Sequence, residues 1–359
     1  MILHGGTSPE NITRLAQSAA QSLADFRAGR EVEPILLIEP GAEAGDEPPA
    51  RQGTAFLIRT SGSTTGTGKL VELPWEAIIA SAEATSDALG GPGTWLASLP
   101  VHHVAGLQTV LRSVLAGLEP FPYTVGEPLP EGRTYLSLVP TQLRRALQDP
   151  DLTRVLTGVD AILVGGQATP KVLLDEGRAA GLNLVTTYGM TETCGGCVYD
   201  GKPIGATSLA LEDGRIIIEG PVVALGYAGQ EAFNGTFYTN DAGEITDRLT
   251  ILGRIDEAIT TGGLTIMPTL LEDFVAERFS IHGIALGAPD PEWGERLVLV
   301  TEHEADTKKI QKHAKKALGP EYAPKDVISV SRLGLDSLPL KDSGKIDRRA
   351  IAQLIRRET

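Results

Sequence analysis

A glycine-rich loop with many hydroxyl groups lies near the start of the chain. Residues 60–69 read Thr-Ser-Gly-Ser-Thr-Thr-Gly-Thr-Gly-Lys and follow the strand-like run AFLIR. Backbone N–H and side-chain O–H groups of such a loop can surround a polyphosphate, and Lys69 can supply positive charge. A flexible surface turn is the plain alternative. A Walker A loop is disfavoured, because five residues rather than four separate Gly62 from Gly68 and a leucine follows the lysine.

A second segment carries a carboxylate between hydroxyl groups. Residues 187–193 read Thr-Tyr-Gly-Met-Thr-Glu-Thr and lie at the end of the strand-like run NLVTT. Taken alone, this segment could equally be a strand end and a turn. Ligands of open α/β sheets bind beyond the carboxyl ends of parallel strands, and a carboxylate there suits Mg²⁺ on phosphate oxygens. We therefore expect Glu192 to hold Mg²⁺.

Three more segments each contain one charged residue that could bind a nucleotide. Asp241 in FYTND can accept hydrogen bonds from both hydroxyls of a ribose, and Arg254 in GRID can donate to the same group. Lys345 lies in LPLKDSGKIDR near the end of the chain. Each of the first two would more often be a solvated turn or a surface ion pair, and the last a solvated basic tail.

The elements that must position these groups begin with a helix and a strand. Helical spacing extends over residues 11–28, residues 35–38 read as a buried strand, and an acidic, proline-rich loop follows. Strand-like and helical runs then alternate from residue 54 to about residue 189, which favours parallel sheets covered by helices.

The pattern changes after Gly214. The runs RIIIEG, GTFYTND, AGEITD and RLTILG are short and separated by turn residues, which is typical of antiparallel strands. The sequence thus predicts an α/β fold with a large domain over residues 1–253 that includes a smaller β subdomain. A hinge is expected at 254–256, followed by a small, mobile α+β domain over 257–359 that carries Lys345.

Composition restricts the class of partner. The chain has 359 residues and a net charge of −14, which argues against a broad nucleic-acid surface. It has two cysteines, Cys194 and Cys197, too few for a disulfide framework, and its first residues lack the pattern of a signal peptide. With no long apolar run in the sequence, we expect a cytoplasmic protein without a membrane span. A homo-oligomer stays open.

The five segments, in this order, identify the chain as a member of the acyl-adenylate-forming superfamily of acyl-CoA ligases, adenylation domains and luciferases. The resemblance runs from about Thr54 to Ile351. It implies activation of a carboxylic acid by ATP and Mg²⁺, then transfer to a thiol such as that of coenzyme A. Other similar stretches are Leu99–Leu107, Gly165–Ala168, Gly214–Pro221, Gly262–Gly263 before Pro268, and Gly287–Glu295.

The resemblance also implies roles for individual residues. The β- and γ-phosphates of ATP are assigned to Ser61, Gly62, Ser63, Thr64, Thr65, Gly66 and Lys69. The α-phosphate and Mg²⁺ are assigned to Thr191 and Glu192, and the adenine to Gly166, Gln167 and Tyr188 with Gly189 beside them. The ribose is assigned to Asp241 and Arg254, the adenylation step to Lys345, the hinge to Asp256, and the pantetheine tunnel to Gly262 and Gly263.

Within the superfamily the chain is most similar to the short bacterial o-succinylbenzoate:CoA ligases of menaquinone synthesis. The similarity lies in the short stretch before the glycine-rich loop and in SLVPTQL, LVGG and TCGGCVYDG. It implies an aromatic acid with a second carboxylate, which needs an apolar pocket and a cation. His103 and Arg112 are candidates for binding the second carboxylate, although a structural role is favoured for Arg112. His103 is also a candidate catalytic residue. The two glycines between the cysteines are expected to line the acyl pocket. Another aryl- or fatty-acyl-CoA ligase and an inactive nucleotide-binding protein are the alternatives.

Overall fold

The computed structural model describes residues 1–60, 68–340 and 346–358, without the side chains of residues 357 and 358. The chain divides into two compact units. Unit 1 comprises Met1–Gln167, Glu176–Ala210 and Ile217–Tyr238, and unit 2 comprises Ala168–Asp175, Leu211–Ile216 and Thr239–Thr359. The expected hinge at 254–256 lies inside unit 2, and its role as a hinge stays a prediction.

The first sheet of unit 1 contains both flanks of the glycine-rich loop. In spatial order its strands are β1 (Ile2–His4), β2 (Ile35–Ile38), β3 (Thr54–Arg59), β4 (Leu70–Pro74) and β14 (Gly226–Tyr227). The first three are parallel, whereas β4 is antiparallel to both of its neighbours. The predicted strand at 35–38 and the predicted N-terminal helix, α1 (Pro9–Arg27), are confirmed. The side chain of Ser8 caps this helix by accepting a hydrogen bond from the N–H of Asn11.

The second sheet of unit 1 has the predicted parallel arrangement. Its strands, in spatial order, are β11 (Lys202–Pro203), β10 (Gly195–Tyr199), β9 (Leu184–Met190), β8 (Ala161–Val164), β7 (Thr134–Leu138), β5 (Thr94–Ala97) and β6 (Phe121–Pro122). All pairs from β6 to β9 are parallel, but β10 is antiparallel to β9. The glycine pair between the two cysteines therefore begins a strand.

Four helices occur where the alternation predicted them: α2 (Trp75–Ala88), α3 (Val104–Leu115), α4 (Pro140–Leu147) and α6 (Lys171–Ala179). A further helix, α5 (Pro150–Leu156), was not predicted. The core of unit 1 includes Trp75, whose ring meets Phe56 edge-on with 5.4 Å between centroids. In the described part of the chain no helix is both long and apolar enough to cross a membrane.

A third sheet has the strand order β12 (Ser208–Glu212), β13 (Arg215–Glu219), β15 (Thr236–Ile245) and β16 (Leu249–Arg254). The runs GTFYTND and AGEITD, interpreted as separate short strands, form the single strand β15. The reason is a β-bulge between Ala242 and Gly243, which keeps β15 paired with β16 despite the glycine.

The remaining elements belong to unit 2. Its sheet has the order β18 (Leu264–Ile266), β17 (Ile259–Thr261), β20 (Gly294–Thr301) and β19 (Gly283–Asp290), with β21 (Asp326–Ser329) also paired to β20. Its helices are α7 (Pro268–Phe279), α8 (Thr307–Ala317) and α9 (Arg348–Glu358). No helix was predicted over the residues of α9, in which Ile351 and Ile355 are buried in a hydrophobic cluster of unit 2.

Candidate active site

The carboxyl edge of the second sheet of unit 1 gathers several predicted residues. Gly166 and Gln167 follow β8. Tyr188 and Gly189 lie near the C-terminal end of its parallel neighbour, strand β9. The strands approach closely here, because a Cβ atom on Gly165 would lie 2.2 Å from Oγ1 of Thr187. The four residues assigned to adenine are thus neighbours at one edge, where ligands of such sheets bind. Their contact with a nucleotide stays a prediction.

Thr191 and Glu192 directly follow that edge in a short 3₁₀ helix, Thr191–Thr193, and both are buried. The backbone carbonyl of Glu192 accepts a hydrogen bond of 2.9 Å from the N–H of Ala224. Oε1 of Glu192 accepts one of 2.6 Å from the hydroxyl of Tyr227. Burial and the charge of Glu192 together raise the pKa of Tyr227, so the hydroxyl stays protonated and remains a donor.

The glycine-rich loop is described only at its two ends. Ser61, Gly62, Ser63, Thr64, Thr65 and Gly66 lie outside the described residues. At the base of the loop, the N–H of Thr60 donates to the carbonyl of Lys69 at 2.9 Å, and the N–H of Lys69 donates to Oγ1 of Thr60 at 3.0 Å. Nζ of Lys69 lies 4.3 Å from the centroid of the Tyr227 ring. Lys69 and Glu192, predicted from different segments, therefore contact the same tyrosine.

The predicted ribose pair lies in unit 2. Asp241 on β15 is directly opposite Arg254 on β16. The guanidinium of Arg254 donates two hydrogen bonds of 2.7 Å to the carboxylate of Asp256, which raises the pKa of Arg254. The structure thus brings Asp241 and Arg254 together, and it adds the expected hinge residue Asp256 as a partner of the arginine.

Gly262 and Gly263 form the two-residue turn between β17 and β18, with φ of 56° and 80°. Two successive left-handed residues are the requirement of a tight hairpin turn, which glycine meets without strain. The N–H of Gly262 donates to the carbonyl of Trp293 at 3.0 Å, and a Cβ atom on Gly262 would lie 2.7 Å from the indole ring. A larger residue at 262 would therefore displace Trp293.

Lys345 lies outside the described residues, but the segment that follows it is well anchored. Oδ1 of Asp347 accepts hydrogen bonds from the N–H groups of Arg349 and Ala350, which caps α9. Arg348 forms ion pairs with Glu257 and Glu272, and its Nη1 donates to the carbonyl of Ala285 at 3.0 Å.

A buried polar cluster in unit 1 surrounds Arg112 on α3. Its guanidinium carbon lies 4.6 Å from the centroid of the Trp95 ring, and its Nε has no hydrogen-bond partner among the described residues. Burial lowers the pKa of Arg112, since a charged group loses hydration there. Gln108, one helical turn earlier, donates to the carbonyl of Cys194 at 2.6 Å, but its Oε1 is likewise without a partner in the described part of the chain.

His103 immediately precedes α3, at the end of the segment that leaves β5. Its ring lies 4.4 Å from that of His102, and Nδ1 of His102 accepts a hydrogen bond from the N–H of Gly6. Burial raises the pKa of both Cys194 and Cys197, which are free, so they are held as thiols rather than reactive thiolates.

Sequence interpretation missed Tyr227 and Gln108. Tyr227 is 35 residues from Glu192 along the chain, so no local spacing connects the two. Gln108 precedes Arg112 by four residues, and that helical spacing is the one signal that could have indicated a shared polar face.

The donor set fits a magnesium ion that is bound together with phosphates. Within residues 1–60, 68–340 and 346–358, no group of three or more His, Cys, Asp or Glu side chains could hold a metal by itself. Mg²⁺ commonly takes one or two protein carboxylates and completes its shell with phosphate oxygens and water. The buried, hydrogen-bonded carboxylate of Glu192 suits that requirement.

Comparison with known proteins shows which family the chain resembles. Residues 6–228 match the family model described as AMP-binding enzyme. A probable 2-succinylbenzoate–CoA ligase of Mycobacterium tuberculosis is 38% identical over 327 residues, which cover 83% of this chain and 84% of the relative.

Solved structures show the same fold. The o-succinylbenzoate CoA synthetase of Bacillus subtilis, solved with its acyl-adenylate intermediate, has a TM-score of 0.68 at 24% identity, over 94% of this chain and 81% of that chain. The same enzyme solved with ATP and magnesium ion has a TM-score of 0.70 at 23% identity, over 97% of this chain and 88% of that chain.

The fold, with Glu192 at the carboxyl edge of a largely parallel sheet, is that of the adenylate-forming enzymes. The extent of the family match and the identity to the mycobacterial relative are decisive. The chain belongs to the AMP-binding enzyme family.

Proposed function

We propose that this chain is an ATP-dependent acid–thiol ligase that converts o-succinylbenzoate into its coenzyme A thioester through an acyl-adenylate, a step of menaquinone biosynthesis. The observation that carries the reaction class is the buried carboxylate of Glu192, which the hydroxyl of Tyr227 holds at 2.6 Å beside the carboxyl edge of β8 and β9. The name of the mycobacterial relative supports the substrate.

The first half-reaction joins the acid to AMP. A carboxylate oxygen of the substrate attacks the α-phosphorus of ATP, the bond from that phosphorus to the β-phosphate oxygen breaks, and pyrophosphate leaves. Mg²⁺ on Glu192 would neutralise charge on the phosphate oxygens. Thr191, Lys69 and the loop residues Ser61–Gly66 would orient the phosphates. Lys345 would stabilise charge that grows on the α-phosphate in the transition state.

The second half-reaction transfers the acyl group. The thiolate of coenzyme A attacks the acyl carbon, the bond from that carbon to the phosphate oxygen breaks, and AMP leaves with the electron pair. The proton of the thiol passes to solvent. We propose that Gly262 and Gly263 line the passage for the pantetheine, since glycines leave room for a narrow chain. We propose that the small domain of residues 257–359 turns about Asp256 between the two steps, which withdraws Lys345.

The nucleotide contacts complete the proposal. Gly166, Gln167, Tyr188 and Gly189 would bind adenine at the carboxyl edge of β8 and β9. Asp241 and Arg254 would bind the ribose, for which Arg254 must exchange at least part of its pairing with Asp256.

Arg112 is the group that best explains an acid with two carboxylates. It is a buried cation whose Nε has no hydrogen-bond partner in the described part of the chain, and it lies on an aromatic ring. A buried guanidinium is costly unless an anion pairs with it, and the second carboxylate of o-succinylbenzoate would supply that anion. This reverses the structural role that its sequence context favoured. His103, at the start of the same helix, would border the acid. We also place the reaction in the cytoplasm, since both cysteines are free thiols.

Exchange of radioactive pyrophosphate into ATP tests the proposal. We expect rapid exchange with o-succinylbenzoate, and slow exchange with benzoate and with a medium-chain fatty acid. Preference for one of the other acids would identify a different acyl-CoA ligase. Absence of exchange with every acid, together with ATP binding, would identify a nucleotide-binding protein without catalysis.

A second experiment separates the half-reactions. Lys345→Ala should abolish adenylate formation, yet it should leave thioester formation from supplied acyl-adenylate within about threefold of the parent, because that residue serves only one step. Equal loss of both half-reactions would contradict the proposed movement of residues 257–359.

A further inference from the structure

Tyr227 contacts residues from two separate segments of the phosphate site, and it does so with different parts of its side chain. The hydroxyl donates to Oε1 of Glu192 at 2.6 Å, and the ring face lies 4.3 Å from Nζ of Lys69. Lys69 is the lysine at the end of the glycine-rich loop, whereas Glu192 is the candidate for the magnesium. One side chain therefore touches two of the charged groups that the proposed reaction uses.

The contact with Glu192 is part of a double attachment. Besides the hydroxyl bond, the N–H of Ala224 donates to the backbone carbonyl of Glu192 at 2.9 Å. Residues 224 and 227 thus hold the backbone and the side chain of the same glutamate. A glutamate that is held at both its backbone and its carboxylate has few rotamers left. Hydrogen-bond partners of this kind are known to orient metal ligands.

The contact with Lys69 acts on an exposed side chain. A lysine in water has many rotamers, and an ammonium over a tyrosine ring is attracted by the negative face of the ring. The ring is itself fixed, because Phe233 meets it edge-on with 5.0 Å between centroids. Lys69 is therefore drawn toward one position instead of sampling the solvent.

The backbone of Tyr227 is anchored as well. Tyr227 lies on β14, where it pairs with Val71 of β4, two residues after Lys69. Nη1 of Arg51 donates to the carbonyl of Tyr227 at 3.1 Å. Since β4 continues directly from the glycine-rich loop, the strand that carries the tyrosine is fastened to the base of that loop.

We propose that Tyr227 is a positioning residue for ATP with its magnesium, whose hydroxyl sets the carboxylate of Glu192 and whose ring sets the ammonium of Lys69. The inference rests on the nucleotide part of the proposed function but not on the identity of the acid. It makes the two contributions separable, because phenylalanine removes the hydroxyl and keeps the ring, whereas leucine removes both.

Calorimetric titration with ATP, without any acid and either with Mg²⁺ or with a chelator, tests the inference without an activity measurement. Tyr227→Phe should reduce the gain in affinity that Mg²⁺ provides by roughly tenfold, because the carboxylate loses its orienting donor. Its affinity for magnesium-free ATP should stay within about twofold of the parent. Tyr227→Leu should in addition weaken magnesium-free ATP by about two- to fivefold, because Lys69 loses its ring.

Tyr123→Phe is the matched control. Tyr123 is buried, whereas Tyr227 is partly buried, and the Tyr123 hydroxyl donates to the backbone carbonyl of Glu127 at 2.9 Å, so this variant removes a comparable hydrogen bond elsewhere in unit 1. It should leave both affinities unchanged. In a Glu192→Gln background, Tyr227→Phe should have no further effect on the gain from Mg²⁺, since the two changes act through one carboxylate.

Two results would overturn the inference: a gain from Mg²⁺ in Tyr227→Phe equal to that of the parent, or equal losses with and without Mg²⁺, which a purely structural tyrosine would give. If Tyr227→Leu fails to fold, the phenylalanine variant decides alone, because it keeps the packing against Phe233. A parent chain that binds ATP with Mg²⁺ but ignores o-succinylbenzoate would refute the proposed substrate and leave the inference standing. A parent chain that turns over o-succinylbenzoate, together with a Tyr227→Phe variant whose ATP affinities equal those of the parent, would refute the inference and leave the proposed substrate standing.

Discussion

Arg51 and Glu72 form an ion pair in which the carboxylate has no exposure to solvent. The N–H of Arg51 also donates to Oε1 of Glu72, and the guanidinium donates to the carbonyls of Tyr227 and Gln230. One residue of the proline-rich loop thus neutralises a buried charge on β4 and fastens the turn that begins at Tyr227.

We expect Arg51→Ala to lower the free energy of unfolding by about 3 kcal/mol, because it leaves Glu72 buried and unpaired. Thermal unfolding is the measurement. The control is Arg154→Ala, whose ion pair with Asp151 is exposed and should be worth less than about 1 kcal/mol. A double change, Arg51→Met with Glu72→Leu, should recover most of the stability. If it did not, the buried charge would not be the cause of the loss.

Gly68→Ala should weaken ATP binding. A Cβ atom at this position would lie 2.0 Å from the backbone carbonyl oxygen of Thr60, so the backbone at the base of the loop must move. We expect a loss of ATP affinity on the order of tenfold to hundredfold, since small displacements of binding groups are costly. Gly45→Ala is the control, because its Cβ would meet one atom at an ordinary 3.8 Å. Similar losses in both variants would show that backbone stiffening, rather than the collision, is responsible.

Local patterns predicted most of the helices and strands, because hydrophobic spacing reports which face of an element is buried. The strand at 35–38 was predicted to the residue. The helix α9 was missed because its arginines dominate its composition, while the two isoleucines that pack inward are only four residues apart. The short strand β10 was missed since it begins with two glycines, which have low strand propensity.

Motifs predicted candidate residues for the site but not the contacts that hold them in place. The pairing of Asp241 with Arg254 follows from the register of β15 and β16, which no single motif contains. The contact between Tyr227 and Glu192 depends on two segments 35 residues apart. Such contacts depend on how strands pair, and strand pairing is set by the packing of the whole unit rather than by nearby sequence.

Arg112→Met should separate acids with one carboxylate from acids with two. If the guanidinium binds the second carboxylate, its removal leaves that anion unpaired in an apolar pocket, and we expect kcat/KM for o-succinylbenzoate to fall about 100-fold. Turnover of benzoate should change by less than about threefold, because benzoate does not offer the second anion. Arg112→Lys should be intermediate, since lysine keeps the charge but not the planar donors. Equal losses for both acids would assign Arg112 a structural role.

Asp273 on α7 should make the free energy of unfolding depend on pH. Burial, followed by the nearby charges of Glu272 and Glu277, raises the pKa of Asp273 to about 6. Between the unfolded value, near 4, and about 6, the folded chain holds a proton that the unfolded chain has released. The free energy of unfolding must therefore fall as pH rises through that window.

Asp273→Asn removes the group that has to ionise, so this variant should be more stable than the parent at pH 7.5, by on the order of 1–2 kcal/mol, and by clearly less at pH 4.5, near the start of that window. Thermal unfolding of parent and variant at both pH values checks this. Asp247→Asn serves as the control, because that side chain is 86% exposed and its replacement should change stability by less than about 0.5 kcal/mol at either pH. A stability difference for Asp273→Asn that is the same at pH 4.5 and 7.5 would mean that packing, and not ionisation, sets the cost of this carboxylate.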